Sequence, residues 1–185
     1  FEDVSVARGD ISARNTEPVR VAWNAGAIDI GAFELQGPTT SLSAVGTWGP
    51  QTANLKTQGS IDLRLISSLT RWVERTQGRL EFAAAVSGPV TSPSLAGSAT
   101  LSDARFVITG QELAVRALSG QAHFSEARIL FQDLQGFLNE GKVRLNGDLL
   151  WSQLEVKKLE LQADLEEVPV QVQPEVPATL TGSLL

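Results

Sequence analysis

Lys142-Val143-Arg144-Leu145-Asn146-Gly147-Asp148-Leu149-Leu150-Trp151 decides the fold class of this chain. Its odd positions are apolar or glycine, and its even positions are polar as far as Asp148. A period of two gives a β-strand one apolar and one polar face. The pattern continues outward in both directions. Downstream it runs through Leu159, Leu161, Ala163 and Leu165, then Val168, Val170 and Val172. Upstream it runs through Leu134, Gly136 and Leu138; Ile129 and Phe131; Leu118, Gly120, Ala122 and Phe124; Leu113 and Val115; Phe106 and Ile108; and Leu95, Gly97, Ala99 and Leu101. Leu80, Phe82, Ala84 and Val86 precede these, and Gly- and Pro-containing turns such as 87–93 punctuate the series.

The first sixty residues obey the same grammar. Val19, Val21 and Trp23 lead into a turn at 24–26, followed by Ile28 and Ile30, then Phe33 and Leu35. Leu42, Ala44, Gly46 and Trp48 form the next strand, and Ile61, Leu63 and Leu65 open another. There the period changes: Leu65, Leu69 and Trp72 are spaced four and three apart, which predicts a short amphipathic helix over about 65–76. Such a helix either caps one end of the sheet or enters its apolar side as a plug.

Composition excludes several functions. The chain has 185 residues, 42% of them hydrophobic, and a net charge of −6, which opposes electrostatic binding to nucleic acid. No apolar run approaches the roughly 20 residues of a spanning helix. Cysteine is absent, so neither disulfides nor thiolate metal sites are possible. His123 is the sole histidine and lacks a nucleophile motif around it. The Glu166-Glu167 pair has no converging ligands, and no phosphate-binding loop occurs. Arg8-Gly9-Asp10 is an adhesion tripeptide too short to carry weight. The expectation is a protein that is not an enzyme, with no cofactor and no metal.

A Gly-centred pattern recurs at Leu95-Ala96-Gly97-Ser98-Ala99, Leu118-Ser119-Gly120-Gln121-Ala122, Leu145-Asn146-Gly147-Asp148-Leu149 and Leu180-Thr181-Gly182-Ser183-Leu184. Glycine in mid-strand permits sharp curvature or close backbone approach. Both ends of the sequence fall within patterned segments. These features predict an all-β fold with one short helix, built as a strongly curved antiparallel sheet. The chain would be a single unit over 1–185, a fragment of a longer, repeat-built protein. A closed β-sandwich in which two sheets bury each other is the other solution that periodicity allows.

The run Ser87-Gly88-Pro89-Val90-Thr91-Ser92-Pro93-Ser94-Leu95, with Arg128-Ile129-Leu130-Phe131-Gln132-Asp133-Leu134-Gln135-Gly136 and the 142–151 strand, resembles the C-terminal region of the TamB family. These are the inner-membrane subunits of the translocation and assembly module, within the wider AsmA-like family. The resemblance implies a β-taco, an open trough with an apolar interior. It implies a periplasm-spanning hydrophobic conduit that binds phospholipid acyl chains in inter-membrane lipid transport and outer-membrane biogenesis. It further implies an Omp85-family barrel partner and a periplasmic location, tethered to the inner membrane of a Gram-negative-type bacterium by a segment outside this sequence. The residues expected to face the groove are Leu80, Phe82, Phe106, Ile108, Phe124, Phe131, Val143, Leu145, Leu149, Leu159 and Leu161. Two other functions fit the same pattern. One is a scaffold whose edges pair with nascent β-barrel strands during protein translocation and assembly. The other is a closed β-sandwich adhesion module.

Overall fold

The structure, a computed structural model, describes residues 2–68, 73–108, 113–152, 155–173 and 176–184. Alternating sequence becomes strand nearly everywhere. The strands are β1 (Ser5–Arg8), β2 (Ile11–Asn15), β3 (Arg20–Asn24), β4 (Ala27–Gln36), β5 (Ser41–Trp48), β6 (Thr52–Asp62), β7 (Val73–Pro89), β8 (Ser94–Ile108), β9 (Ala114–Glu126), β10 (Arg128–Leu138), β11 (Gly141–Ser152), β12 (Glu155–Gln173) and β13 (Val176–Leu184). They form one 13-stranded antiparallel meander in sequence order, except that β2 and β3 both pair with β4. Leu63–Ser68 is a 3-10 helix. Of the segment expected to be helical over 65–76, residues 69–72 lie outside the described residues, and β7 begins at Val73.

The sheet is open and mostly flat, neither closed nor strongly curved, and this overturns the β-taco expectation. Among the described residues, the substantial contacts between elements join only strands adjacent in the sheet, apart from those that the 3-10 helix makes with β6 and β7. All thirteen strands lie in this one sheet, so a second layer of the kind a closed sandwich needs is not found among the described residues.

The mid-strand glycines serve close approach instead of curvature. A Cβ on Gly97 would overlap the Ala83 carbonyl oxygen, and its φ of +143° suits no other residue. At Gly147 a Cβ would overlap the Glu160 carbonyl and come within 2.6 Å of Leu161 Cδ2.

Five strands carry a residue with positive φ where the pairing register shifts: Arg75, Asp103, Ala117, Asp133 and Glu167. These are β-bulges, each adding a residue and flipping the parity of everything beyond it. Because the sequence flips parity at the same places, the apolar face is preserved. The residue after the bulge is buried in four cases: Thr76, Ala104, Leu118 and Val168. Two of the extra N–H groups find neighbours. Asp103 N–H donates to Ser119 Oγ at 2.9 Å, and Asp133 N–H donates to Asn146 Oδ1 at 2.9 Å.

A second buried cluster closes one end of the sheet. Ile11, Ala13, Val19 and Leu35 pack there. The β1–β2 hairpin is pinned across the sheet end by Arg64, which donates to Asp10 at its tip and to Asp62 at the end of β6.

Candidate functional site: an apolar face ending at an open edge

Ladder registers fix which side chains share a face, because directly opposed residues point the same way. On one face, Ile61–Leu80–Leu101–Gly120 and Gly59–Phe82–Ala99–Ala122–Phe131–Gly147–Leu161 form rows running across successive strands. Gly97–Phe124–Ile129–Leu149–Leu159 and Leu134–Leu145–Ala163 form others. Phe106 opposes Val115, and Val143 opposes Gly136 and Leu165. All eleven residues expected to line a groove therefore occupy one face. The same face continues through Leu55, Gly46 and Ile30 to Val21, and through Ala53, Trp48 and Ile28 to Trp23 on β3. Trp23 is 72% exposed.

The opposite face is mainly polar, with Val45 and Phe137 also exposed on it. Lys142 meets Glu166 at 3.1 Å, and Arg128 pairs with Asp148. His123 stands exposed on this face between Ser98 and Leu130. Asp10 of the adhesion tripeptide is held by Arg64 at 3.0 Å, which gives it a part in the fold. Among the described residues no group of three or more His, Cys, Asp or Glu could hold a metal.

The apolar face does not form a conduit. The described hollows are local and lie mainly on the opposite face: one of about 520 Å³ is lined by Glu34, Ser43, Gln58, Ser60 and Glu81, and one of about 930 Å³ by Arg128, Gln132, Asn146, Asp148 and Glu160. They share no lining residue, and polar side chains enter both. With the sheet open and mostly flat, nothing wraps a passing chain, so the expected role as a lipid conduit is overturned.

No family model, no curated protein and no solved structure matches this chain. The resemblance to the TamB family is corrected on both counts, since no relative upholds it and the curled sheet it requires is absent. No described helix is long and apolar enough to cross a membrane.

What the sheet does offer is an edge. β12 pairs with β11 over Glu155–Glu166, but β13 covers its other side only from Ala163 to Gln173. Among the described residues, no strand pairs with the outer side of Glu155–Gln162. Val156, Leu159 and Leu161 stand there on the apolar face, 63%, 53% and 47% exposed. Lys158 and Glu160 stand on the polar face, bridged at 2.7 Å. From Leu159 to Ala163 no charge points toward the apolar side, the device by which proteins usually blunt an edge. A register shift between Leu150 and Trp151 sets a bulge at Lys157, which ends this smooth stretch.

Periodicity identifies Leu159 and Leu161 as face residues, but it contains no sign that their strand has a one-sided partner. That property belongs to the topology. The only local trace is Lys157-Lys158, where the alternation stumbles.

Proposed function

We propose that this protein is a non-catalytic scaffold that pairs with extended, alternately patterned polypeptide by strand addition at the outer edge of β12. The observation that carries this reading is the apolar row at Leu159 and Leu161 on β12, which carries no charge from Leu159 to Ala163 and, among the described residues, has no partner strand on its outer side as far as Gln162. An added strand gains main-chain hydrogen bonds from the edge. If its residues alternate, its apolar side chains extend the row beside Leu159 and Leu161 while its polar ones lie beside Lys158 and Glu160. Strands of outer-membrane β-barrels alternate in this way over about ten residues. Such strands, with barrel proteins of the Omp85 type among them, are the proposed clients, and the periplasm is the proposed compartment. The free edge of β3 is shorter, five residues from Arg20 to Asn24.

A fluorescent barrel-strand peptide titrated into the protein tests the reading. Binding should saturate, and a peptide of the same composition with its apolar residues in one block should not bind. Leu161→Lys places a charge on the apolar side of the edge and should abolish binding without lowering Tm, because Leu161 is already half exposed. Undiminished binding by Leu161→Lys, or equal binding of the blocked peptide, would sink the proposal.

A further inference from the structure

We infer that Trp23 and Trp48 form a stacking platform for a neutral β-1,4-linked hexose chain, laid across strands β3 to β5 on the apolar face. Tryptophan is usually well buried, yet Trp23 is 72% and Trp48 is 42% exposed. The ladders place the two in one row. Trp23 opposes Ile28 and Ile28 opposes Trp48, so both indoles and the half-buried isoleucine between them share a face. In an antiparallel sheet a residue forms a hydrogen-bonded pair with one neighbour and a non-hydrogen-bonded pair with the other. The two tryptophan Cα atoms are therefore about 10 Å apart. Beyond Trp48 the row continues through Ala53 to Gly88, where no large side chain blocks the path.

That spacing selects the ligand. A β-linked glucose ring carries its hydroxyls around the rim and only C–H groups on its two faces. Those C–H groups fit the electron-rich face of an indole. The β-1,4 linkage gives a flat, extended ribbon that advances by about one strand spacing with each sugar. Rings one and three then lie on Trp23 and Trp48, with ring two over Ile28. An α-1,4-linked chain winds into a helix and cannot lie on both indoles. The mostly flat sheet suits a flat ribbon. Charge agrees with a neutral one. Neither this row nor the next, Val21–Ile30–Gly46–Leu55–Val86, contains a lysine or arginine, and the net charge of the chain is −6. An acidic polysaccharide or an anionic membrane finds no counter-charge there.

Calorimetric titration of the full chain with glucose oligomers tests the inference. The β-1,4-linked hexamer should bind. The β-1,4-linked dimer reaches only one indole and should bind about tenfold more weakly, and the α-1,4-linked hexamer should not bind. Trp23→Ala keeps the fold, because its indole stands largely in water, and should weaken hexamer binding about tenfold. Trp23→Phe should recover part of the loss. Leu159→Ala, exposed on the same face but on β12, should bind as the wild type does. Sugar binding that survives Leu161→Lys would separate this platform from the strand-pairing edge and uphold it whatever the fate of the client reading. Failure of the β-1,4 hexamer to bind, equal binding of the α-1,4 hexamer, or undiminished binding by Trp23→Ala would overturn the inference. So would Trp23-dependent binding to phosphatidylcholine vesicles without any response to the hexamer, which would make the row a membrane-surface contact.

Discussion

Phe131 lies directly across the β10–β11 ladder from Gly147. The same pairing recurs where Phe124 opposes Gly97 and Phe82 opposes Gly59. Each of these three pairs sets an aromatic ring over glycine, an arrangement that shields a bare strand backbone. The glycines are needed because the next strand's carbonyl occupies the place of a Cβ.

Gly97→Ala should therefore be costly. Its Cβ meets the Ala83 backbone, which cannot give way as a flexible side chain could, and its φ is +143°. We expect a loss of about 1–3 kcal/mol, read as a fall in Tm of several degrees. Gly88→Ala is the control: its φ is +96° but nothing lies within 4 Å of the new Cβ, so only the backbone cost of roughly 1 kcal/mol remains.

At the bulge in β9 the reverse substitution should help. Ala117 has a φ of +51° and no side-chain hydrogen bond to compensate it. Ala117→Gly relieves that strain at the expense of greater freedom in the unfolded chain, for a net gain of up to about 1 kcal/mol. Chemical denaturation should show a higher midpoint with an unchanged slope. Ala117→Val should move the midpoint the other way.

These bulges also show how much the sequence discloses. The steps from Leu101 to Ala104, Phe131 to Leu134 and Leu165 to Val168 are three residues each, where a strand demands two. Read along the sequence, such steps look like the ends of short strands. In the structure they lie inside long strands such as β8 and β12, because an extra residue in αL brings the apolar face back into line. Asp103 and Asp133 stand at two of the steps, and aspartate is among the residues that tolerate αL. The face was therefore legible residue by residue. Curvature was not, because a mid-strand glycine has the same letter whether it bends the sheet or admits a neighbouring carbonyl.

The Arg64 bridge predicts an acid-sensitive end of the sheet. Hydrogen bonding from Arg64 holds the Asp62 carboxyl below its ordinary value, and Asp10 is lowered by the same guanidinium. A lowered folded-state value stabilises the protein above the unfolded pKa of about 4, and that stability is lost as pH falls through the folded value. Wild-type Tm should therefore drop between about pH 5 and about pH 3 more steeply than that of Asp62→Asn, which begins lower at neutral pH. Arg64→Gln leaves the largely buried Asp62 carboxylate short of donors and should cost about 1–3 kcal/mol at neutral pH.

Leu145→Asp reports directly on whether the apolar face is covered. Leu145 sits at the centre of the face, opposite Leu134 on β10 and Ala163 on β12, and it is half-buried. On an open single-layer sheet a carboxylate there keeps much of its hydration and forfeits mainly cross-strand contacts, worth about 1 kcal/mol. At the inside of a two-layer core the same change would bury an unpaired charge and cost upwards of about 4 kcal/mol. Urea unfolding of the variant separates these outcomes, since a shift of the smaller size leaves the chain folded at room temperature. It also separates the face from the edge: Leu145 is on β11, with β12 between it and the outer edge, so Leu145→Asp should retain peptide binding that Leu161→Lys loses. Loss of binding in both variants, with the fold intact in both, would move the binding surface from the edge onto the face.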